Sequence, residues 1–242
     1  MSVTSVLIRI GEAAKDLGVT TQTLRNWEKT GKLQPRRSPG GQRLYERVEI
    51  ERLKYNLREL GLAWAISAQT PAIPDNYYCE RSDRFTSRLD KISVDLLAKL
   101  GDISLVSLLT LLVGEIGDNS FTHNLGNWPD VPGIFFAYDL YHRYIVLADR
   151  GRGIRATLQP IRPTSTDTEA LIVAFTEIVS GRSPEKRGNG LKVVRRVVEN
   201  QEGISLYLRS GLGIVELQGG QGKMQTSTAD QNVRGVYAII NF

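Results

Sequence analysis

Glu115 and Asn119 lie four residues apart in the stretch EIGDNSFTHN, which continues the apolar run LVSLLTLLV. At about 100° per residue the two stretches form one helix, and residues four apart project from the same helical face. The core-facing stripe of this helix comprises Leu105, Leu109, Leu112 and Ile116. Asn119 and His123 fall on that stripe, and Glu115 falls on its flank. Because burying an amide without a partner costs about 2 to 7 kcal/mol, these side chains need polar partners or a ligand.

Two glycine-rich turns follow this helix in the sequence. In ADRGRGI, Asp149 ends an apolar strand, and Gly151 and Gly153 allow a ligand to approach the backbone closely. In KRGNGL, Gly188 and Gly190 precede the helix LKVVRRVVEN, whose free N–H groups and positive dipole end suit a phosphate. Each motif alone also fits an ordinary turn. The three motifs together, in this order, predict a nucleotide-binding site.

Short β-rich runs alternate with helical periodicity through this part of the chain, which predicts an α/β unit. The predicted strands are GIFFAYDL, RYIVLAD, ISLYLRS, GIVELQ and VYAIINF. The predicted helices are 95–99, 104–124, 167–179 and 191–200. Because consecutive strands are separated by short breaks, we expect a largely antiparallel or mixed sheet with helices on one face.

Residues 90–242 resemble the ATP-binding domain of the GHKL superfamily, which has the Bergerat fold. Glu115 and Asn119 match its N box, DRGRGI its first glycine box and GNGL its second. The resemblance implies an α/β-sandwich domain that binds ATP and Mg²⁺. By this resemblance Asn119 coordinates Mg²⁺, Glu115 is the general base for attack on the γ-phosphate, and Asp149 accepts a hydrogen bond from the adenine amino group. The residues implied to shape the pocket and its lid are Gly151, Gly153, Gly188, Gly190 and Leu191.

Three further features bear on this resemblance, and the first two have more than one interpretation. Lys186 and Arg187 either neutralise phosphate charge or are solvated charges of a mobile lid. His123 either contacts the nucleotide or complements the C-terminal dipole of its helix. The last strand carries Gly235-Val236 where GHKL proteins often carry Gly-Thr, so a hydroxyl near the nucleotide is lost.

Three functions fit residues 90–242. The first is slow hydrolysis of ATP that links nucleotide state to DNA or partner binding. The second is a protein serine/threonine kinase similar to the anti-sigma factors, and the third is a structural module that binds ATP without turnover. A histidine kinase is disfavoured, because neither His123 nor His142 resembles an exposed phosphoacceptor on a helix ahead of the ATPase domain.

Two short amphipathic helices and a hairpin are predicted at the start of the chain. In IRIGEAAKDLGVTTQTLRNWEKTGKL, Gly18 allows the turn between the helices and Thr20 is the predicted N-cap of the second. In LQPRRSPGGQRLYERVEIERL, Gly40 and Gly41 form a hairpin tip, and a third helix starts near Glu46 and continues to GLAWAISAQT.

The blocks IGEAAKDLGV, TLRNWEKTGKL and RRSPGGQRLY resemble the winged helix-turn-helix of the MerR family of transcription factors, which implies binding of double-stranded DNA. The residues implied to face the major groove are Thr21, Gln22, Arg25 and Asn26. Those implied to contact phosphates or the minor groove are Arg36, Arg37, Arg43 and Tyr45. Regulators of this family usually dimerise through a long coiled coil after the wing. Here TPAIPDNYY breaks the helix, so a homodimer is left open and the coiled-coil route to it is disfavoured.

The positive charge of the chain is concentrated near its N-terminus. Residues 1–60 contain 12 Lys/Arg and 7 Asp/Glu, and this surplus equals the whole net charge of +5. A compact basic segment beside a neutral remainder suits a polyanion. The single cysteine excludes an intrachain disulfide, and Glu115 interrupts the longest apolar run, so we predict a cytoplasmic protein without a membrane span.

Together these features predict an α+β protein of two domains. A small all-helical winged helix-turn-helix domain is expected at residues 1–66, a linker at 67–89, and an α/β-sandwich of the Bergerat type at 90–242. The expected cofactors are ATP and Mg²⁺. Double-stranded DNA is the expected partner, and a protein partner is left open.

Overall fold

The computed structural model describes residues 6–178 and 190–242. The chain divides into two compact units, Met1–Leu57 (unit 1) and Arg58–Phe242 (unit 2). This division lies earlier than the predicted boundary at residue 66, because the helix that starts at Leu57 packs with the second unit.

Unit 1 contains three helices and a small antiparallel sheet. The helices are α1 (Ile10–Leu17), α2 (Thr21–Thr30) and α3 (Arg47–Lys54), and the strands β1 (Leu7–Arg9), β2 (Arg36–Arg37) and β3 (Arg43–Glu46) pair in the order β1-β3-β2. Gly18 ends α1 with a φ of 66°, and the Thr20 hydroxyl accepts a 3.1 Å hydrogen bond from the N–H of Thr23 at the start of α2. The predicted turn and N-cap are confirmed.

The prediction that this domain is all-helical is wrong. β1 pairs with β3, and its central residue Ile8 is buried with Tyr45 and Ile50 in one core. A strand of three residues is too short to be recognised from alternation in the sequence. The predicted third helix is also interrupted, because α3 ends at Lys54 and Tyr55 has an extended backbone.

Unit 2 is built around a five-stranded sheet. Its helices are α4 (Leu57–Ile66, which begins on the last residue of unit 1), α5 (Ser82–Leu100), α6 (Ile103–Asn124), α7 (Gly153–Leu158), α8 (Asp167–Thr176) and α9 (Gly190–Asn200). Its strands are β4 (Tyr78–Cys79), β5 (Ile134–Asp139), β6 (Tyr144–Asp149), β7 (Ser205–Gln218) and β8 (Met224–Asn241). Neighbouring strands are all antiparallel, in the order β4-β5-β6-β8-β7. The expected sheet is confirmed in its antiparallel form.

The last two strands are longer than predicted. The runs ISLYLRS and GIVELQ form the single strand β7, whose register with β8 shifts near Gly211 and Gly213. Gly211 has a φ of 61°, and a Cβ at Gly213 would lie 2.8 Å from the backbone carbon of Asp167, so the strand bends past α8 instead of ending. β8 begins at Met224, well before the predicted start at residue 236.

One face of the sheet carries α5, α6, α8 and α9, whose buried side chains form the main core with inward-facing residues of the strands. α5 extends far beyond the predicted 95–99, because its buried residues Phe85, Ile92 and Leu96 recur at helical spacing. α6 is long and apolar enough, by length and composition alone, to cross a membrane. Its buried residues belong to the main core, so we assign it to the protein interior.

The opposite face of the sheet is covered by α4. A Cβ at Gly61 would lie 2.8 Å from Cγ1 of Val146 and 3.0 Å from the Phe135 ring, so the helix backbone approaches the strands directly. The Tyr237 hydroxyl donates a 2.9 Å hydrogen bond to the carbonyl of Arg58. Both faces of the sheet are therefore packed against helices, so the expectation of helices on one face only is wrong.

The predicted linker, 67–89, is part of unit 2. It contains a 3₁₀ turn (Asp75–Tyr77), the edge strand β4 and the first part of α5. Cys79 is buried in the main core, and the Tyr77 ring lies 5.8 Å from the Phe135 ring. Burial of these side chains makes the segment a structural element, not a plain connection.

The docking of α4 can be tested at Gly61. We expect Gly61→Leu to lower the free energy of unfolding by about 1 to 3 kcal/mol, because the added side chain forces α4 away from Val146 and Phe135. Leucine is a good helix former, so helix propensity alone would act in the opposite direction. Urea unfolding measures the change, and Ala63→Leu, at an exposed position of the same helix, is the matched control. Equal stabilities of the two variants would contradict the docking.

Candidate nucleotide site and nucleic-acid interface

The polar end of α6 differs in detail from the helical-wheel prediction. Glu115 and Asn119 are half-buried, whereas His123 is exposed in the last turn. The placement of His123 on the core-facing stripe is therefore wrong. The buried polar residues are instead Ser120 and Asn124, which are 8% and 4% exposed and continue the apolar stripe at four-residue spacing.

The carboxylate of Asp149 is buried at the end of β6. Ser120 Oγ donates a 2.7 Å hydrogen bond to Asp149 Oδ2, and the N–H of Gly151 donates one of 2.8 Å to Oδ1. The N–H of Val236 on β8 is a third donor. Burial raises the pKa of Asp149 to about 6, and these three hydrogen bonds oppose the rise. The Asp149 carboxylate thus accepts hydrogen bonds from α6, from β8 and from the turn at Gly151.

Both glycines of the first glycine box are required by protein packing. Gly151 lies so close to the Asn124 side chain that a Cβ would overlap it. Gly153 has a φ of 76°, and Ser210 Oγ accepts a 2.9 Å hydrogen bond from the N–H of the next residue, Ile154. From the sequence, we expected these glycines to let a ligand approach the backbone. In the structure the groups that lie close to them are the side chains of Asn124 and Ser210.

Gly190, at the start of α9, lies against Glu115 and Asn119. A Cβ at Gly190 would lie 2.5 Å from Glu115 Oε2 and 3.1 Å from Asn119 Nδ2, so the N-terminus of α9 abuts both side chains. Leu191 is half-buried against the main core. The predicted lid residues that lie outside the described part of the chain are Lys186, Arg187 and Gly188.

Gly190 and Asp149 both lie against the C-terminal part of α6. Asn119 faces Gly190, and the next residue, Ser120, binds Asp149. Within the described residues, no group of three or more His, Cys, Asp or Glu side chains could hold a metal ion. A cation at Asn119 would therefore need further oxygen atoms from a ligand.

A polar strip runs along the exposed side of α2. Gln22, Arg25 and Asn26 are exposed, and Thr21 beside them is half-buried. Gln22 Oε1 accepts a 3.3 Å hydrogen bond from Arg25, and Gln22 Nε2 donates one of 3.3 Å to Asn26. The opposite side of the helix is anchored by the fully buried Leu24. Three of the four residues predicted to face the major groove are therefore exposed together.

Glu28 holds the wing against α2. Its carboxylate accepts hydrogen bonds from Arg43 Nε at 2.6 Å and from Arg37 Nη2 at 2.5 Å. The hydrogen bond from Arg43 is the largest influence that lowers the pKa of Glu28, and Arg37 adds to it. The hairpin turns at Gly41, whose φ of 76° confirms the predicted tip. One carboxylate thus fixes an arginine from each strand of the hairpin.

Tyr45 is not a surface residue. It is fully buried in the same core as Leu24 and Ile50, so its prediction as a DNA contact is contradicted. Arg36 is exposed and forms an ion pair with Glu46. The accessible basic side chains of the wing are Arg36, Arg37 and Arg43.

A cleft of about 540 Å³ lies between the wing, α2 and the start of α1. Arg9 at the end of β1, Arg25 on α2 and Arg43 on the wing line it, together with Glu12 of α1. Arg9 was absent from the sequence prediction, because the strand that carries it was not recognised. Such a basic concave surface suits the phosphate backbone of a nucleic acid.

Comparison with known families gives a match at the N-terminus. Residues 9–45 match the model of the MerR family regulatory protein. Unit 1 contains a MerR-family helix-turn-helix domain. The matched residues cover α1, α2 and the wing, and the domain indicates DNA-binding transcription regulation.

A curated relative supports this assignment. The nodulation protein NolA of Bradyrhizobium elkanii is 45% identical to the chain over 58 residues. The match covers 23% of this chain and 26% of that protein, so the chain spans about a quarter of the relative's length. A function for the remainder of the chain has to be argued from its own geometry.

Sequence reasoning missed three residues that organise these sites, namely Glu28, Ser120 and Asn124. Ser120 and Asn124 follow Ile116 at four-residue spacing, so extending the apolar stripe would have found them. No local spacing in the sequence points to Glu28, because its arginine partners lie 9 and 15 residues further along the chain.

The raised pKa of Asp149 predicts a pH-dependent stability. Burial lifts the pKa from 3.8 to about 6, so the native state keeps this proton to a higher pH than the unfolded state. The associated stability is fully present below pH 3.8 and is lost as the pH rises through about 6. We therefore expect the unfolding free energy of the wild type to fall, relative to Asp149→Asn, by about 2 kcal/mol between about pH 4 and pH 7.

Urea unfolding across this pH range measures the difference. Asp90→Asn, at an exposed position of α5, is the matched control and should leave the pH profile unchanged. Parallel profiles for the wild type and Asp149→Asn would show that Asp149 does not titrate differently in the native state.

Proposed function

We propose that this protein is a DNA-binding regulator whose unit 2 binds Mg-ATP and hydrolyses it slowly, so that nucleotide state is linked to DNA or partner binding. The MerR-family domain supports double-stranded DNA as the partner. A role on DNA also fits the predicted cytoplasmic location. ATP and Mg²⁺ are proposed from the arrangement of side chains in unit 2.

The observation that carries the nucleotide proposal is the meeting of Gly190 with Glu115 and Asn119. Glycine at 190 lets the N-terminus of α9 lie directly against a carboxylate and an amide. The positive end of the helix suits phosphate oxygens, and the two side-chain oxygens suit a hard cation. A magnesium nucleotide carries negative phosphates and a bound cation in direct contact with each other, so it can meet the helix N-terminus and the two side-chain oxygens together. An anion or a cation alone meets only one of them.

Asp149 is proposed to recognise the base. A carboxylate has about four lone-pair sites, and three are used by Ser120, Gly151 and Val236, so one acceptor site is left for a ligand. With a pKa of about 6 the group is ionised at neutral pH and only accepts hydrogen bonds. It therefore favours the amino group of adenine over the carbonyl that guanine carries in its place.

The remaining roles follow from the N box. Asn119 would hold Mg²⁺ through its amide oxygen, and the ion would neutralise charge on the triphosphate. Glu115 would take the proton of the attacking water. The anti-sigma-like kinase differs from this scheme only in that a partner's hydroxyl replaces the water, and the structural module differs in lacking turnover.

Substitutions at the N box separate binding from hydrolysis. We expect Glu115→Gln to retain ATP binding and to lose phosphate release by about 100-fold or more, because the variant keeps the shape of the side chain but not its basicity. Asn119→Ala should lose the Mg²⁺-dependent part of ATP affinity. Calorimetry and a phosphate-release assay measure the two effects, and Glu216→Gln, exposed on β7, is the matched control.

The outcomes discriminate the three functions. Undiminished phosphate release by Glu115→Gln would remove the assigned base. Transfer of labelled phosphate to a bound protein would favour the kinase. ATP binding by the wild type with no phosphate release would favour the structural module, and no binding of ATP would overturn the nucleotide proposal.

The exposed arginine of α2 provides a test of the DNA surface. We expect Arg25→Ala to weaken binding to duplex DNA and to reduce the slope of log K against log salt by about 1, because a cation next to the basic cleft is lost. Fluorescence anisotropy at several salt concentrations measures the slope. Lys99→Ala removes the same charge from an exposed position of α5 and should leave the slope unchanged. An unaltered slope for Arg25→Ala would argue against a phosphate contact.

A further inference from the structure

Two arginines close the C-terminal end of α4. Arg150 donates hydrogen bonds to the carbonyls of Trp64 and Ser67, the second at 2.9 Å. Arg234 donates to the carbonyls of Ser67 at 3.1 Å and Ala68 at 3.0 Å. The last carbonyls of a helix have no partner within the helix and form the negative end of its dipole. The two guanidinium groups therefore satisfy this end of α4 and hold it on the sheet.

Arg150 depends on α4 in return. Its side chain is fully buried, which is costly for a permanent cation unless its donors are matched. Asp130 Oδ2 accepts a 2.7 Å hydrogen bond from Arg150 Nε, and the Trp64 ring centre lies 5.9 Å from the guanidinium carbon. Without α4 on the sheet, Arg150 would keep Asp130 but lose the carbonyls of Trp64 and Ser67. The docked helix and this position of Arg150 require each other.

The same arginines adjoin the Asp149 site in the sequence. Arg150 lies between Asp149 and Gly151, whose N–H binds the Asp149 carboxylate. Arg234 precedes Gly235, whose backbone packs so closely on Asp149 that a Cβ would overlap the carboxylate. Successive residues of an extended chain point to opposite faces of a sheet. Asp149 therefore bonds α6 on one face, while Arg150 bonds α4 on the other.

The end of α4 has room to shift. A cleft of about 530 Å³ lies beside it and is lined by Ile66, Ala68, Gln231, Asn232 and Arg234. The helix begins at Leu57, the residue on which unit 1 ends. A change in the seating of α4 therefore acts on the chain segment at which unit 1 ends and unit 2 begins.

We propose that Arg150 and Arg234 are positioning residues that couple occupancy of the Asp149 site to the docking of α4. A nucleotide that orders the Asp149–Gly151 turn also fixes the two arginines, so α4 is held more tightly when the site is filled. Docking of α4 likewise favours the binding-competent arrangement of the Asp149 site, because the coupling between helix docking and ligand binding is reciprocal. The inference rests on the proposed nucleotide function and adds the route by which the site is linked to the chain segment that leads into unit 1.

Hydrogen exchange of the α4 amides in the full chain tests the coupling. With saturating Mg-AMPPNP, a non-hydrolysable ATP analogue, we expect these amides to exchange about fivefold more slowly or better, the lower end of typical allosteric coupling. Arg150→Met and the milder Arg234→Gln, whose side chain is 39% exposed, should reduce or abolish this nucleotide-dependent change. Lys99→Gln, exposed on α5, is the control and should keep it.

Calorimetry on the same samples separates the two proposals. If the wild type binds Mg-AMPPNP and the exchange of α4 is unchanged, the coupling is overturned and the nucleotide site stands. If Arg234→Gln binds the analogue and shows the full wild-type protection of α4, the arginine route is overturned. If the wild type does not bind the analogue, both proposals fall. Arg234→Gln keeps the test decisive even where Arg150→Met fails to fold.

Discussion

A buried carboxylate at the end of β6 is the point on which the organisation of unit 2 depends. Removal from water favours the protonated form of Asp149, and hydrogen bonds from Ser120, Gly151 and Val236 offset that cost. These donors come from a helix, a turn and a neighbouring strand, so each element has to be in place for the others to be satisfied. The absence of side chains at Gly151 and Gly235 follows from the same constraint, because a Cβ there would overlap the groups around the carboxylate.

The packing of both sheet faces extends this dependence across the unit. The main core lies between the sheet and α5, α6, α8 and α9, and α4 covers the other face at the close contact of Gly61 with Val146. Arg150 links the two faces, because it follows Asp149 in the chain and donates hydrogen bonds to Asp130 and to the carbonyl of Trp64 in α4. A fully buried guanidinium has few alternative positions, which makes the arrangement specific.

An acidic residue organises the basic surface of unit 1 in a comparable way. Glu28 pairs with Arg37 and Arg43, so the wing keeps a defined position on α2 although it has only two short strands. These ion pairs leave Arg25 exposed beside the cleft at the start of α1. The carboxylate of Glu28 thus offsets the repulsion between Arg37 and Arg43 within this basic surface.

The sequence by itself determined several of the elements and singled out some of the residues that lie together at the C-terminal part of α6. Apolar periodicity predicted α6, α8 and α9 because burial imposes a local spacing, and the motifs singled out Glu115, Asn119 and Asp149 as residues of one site. Only the tertiary structure decided that Tyr45 is buried, that β1 pairs with β3 and that α4 covers the second sheet face. Each of these depends on contacts between residues distant in the chain, which local spacing does not encode. Asp149 and Arg150 are another example. They are adjacent in the sequence, but they contact helices on opposite faces of the sheet, and only the folded sheet shows which helix each one contacts.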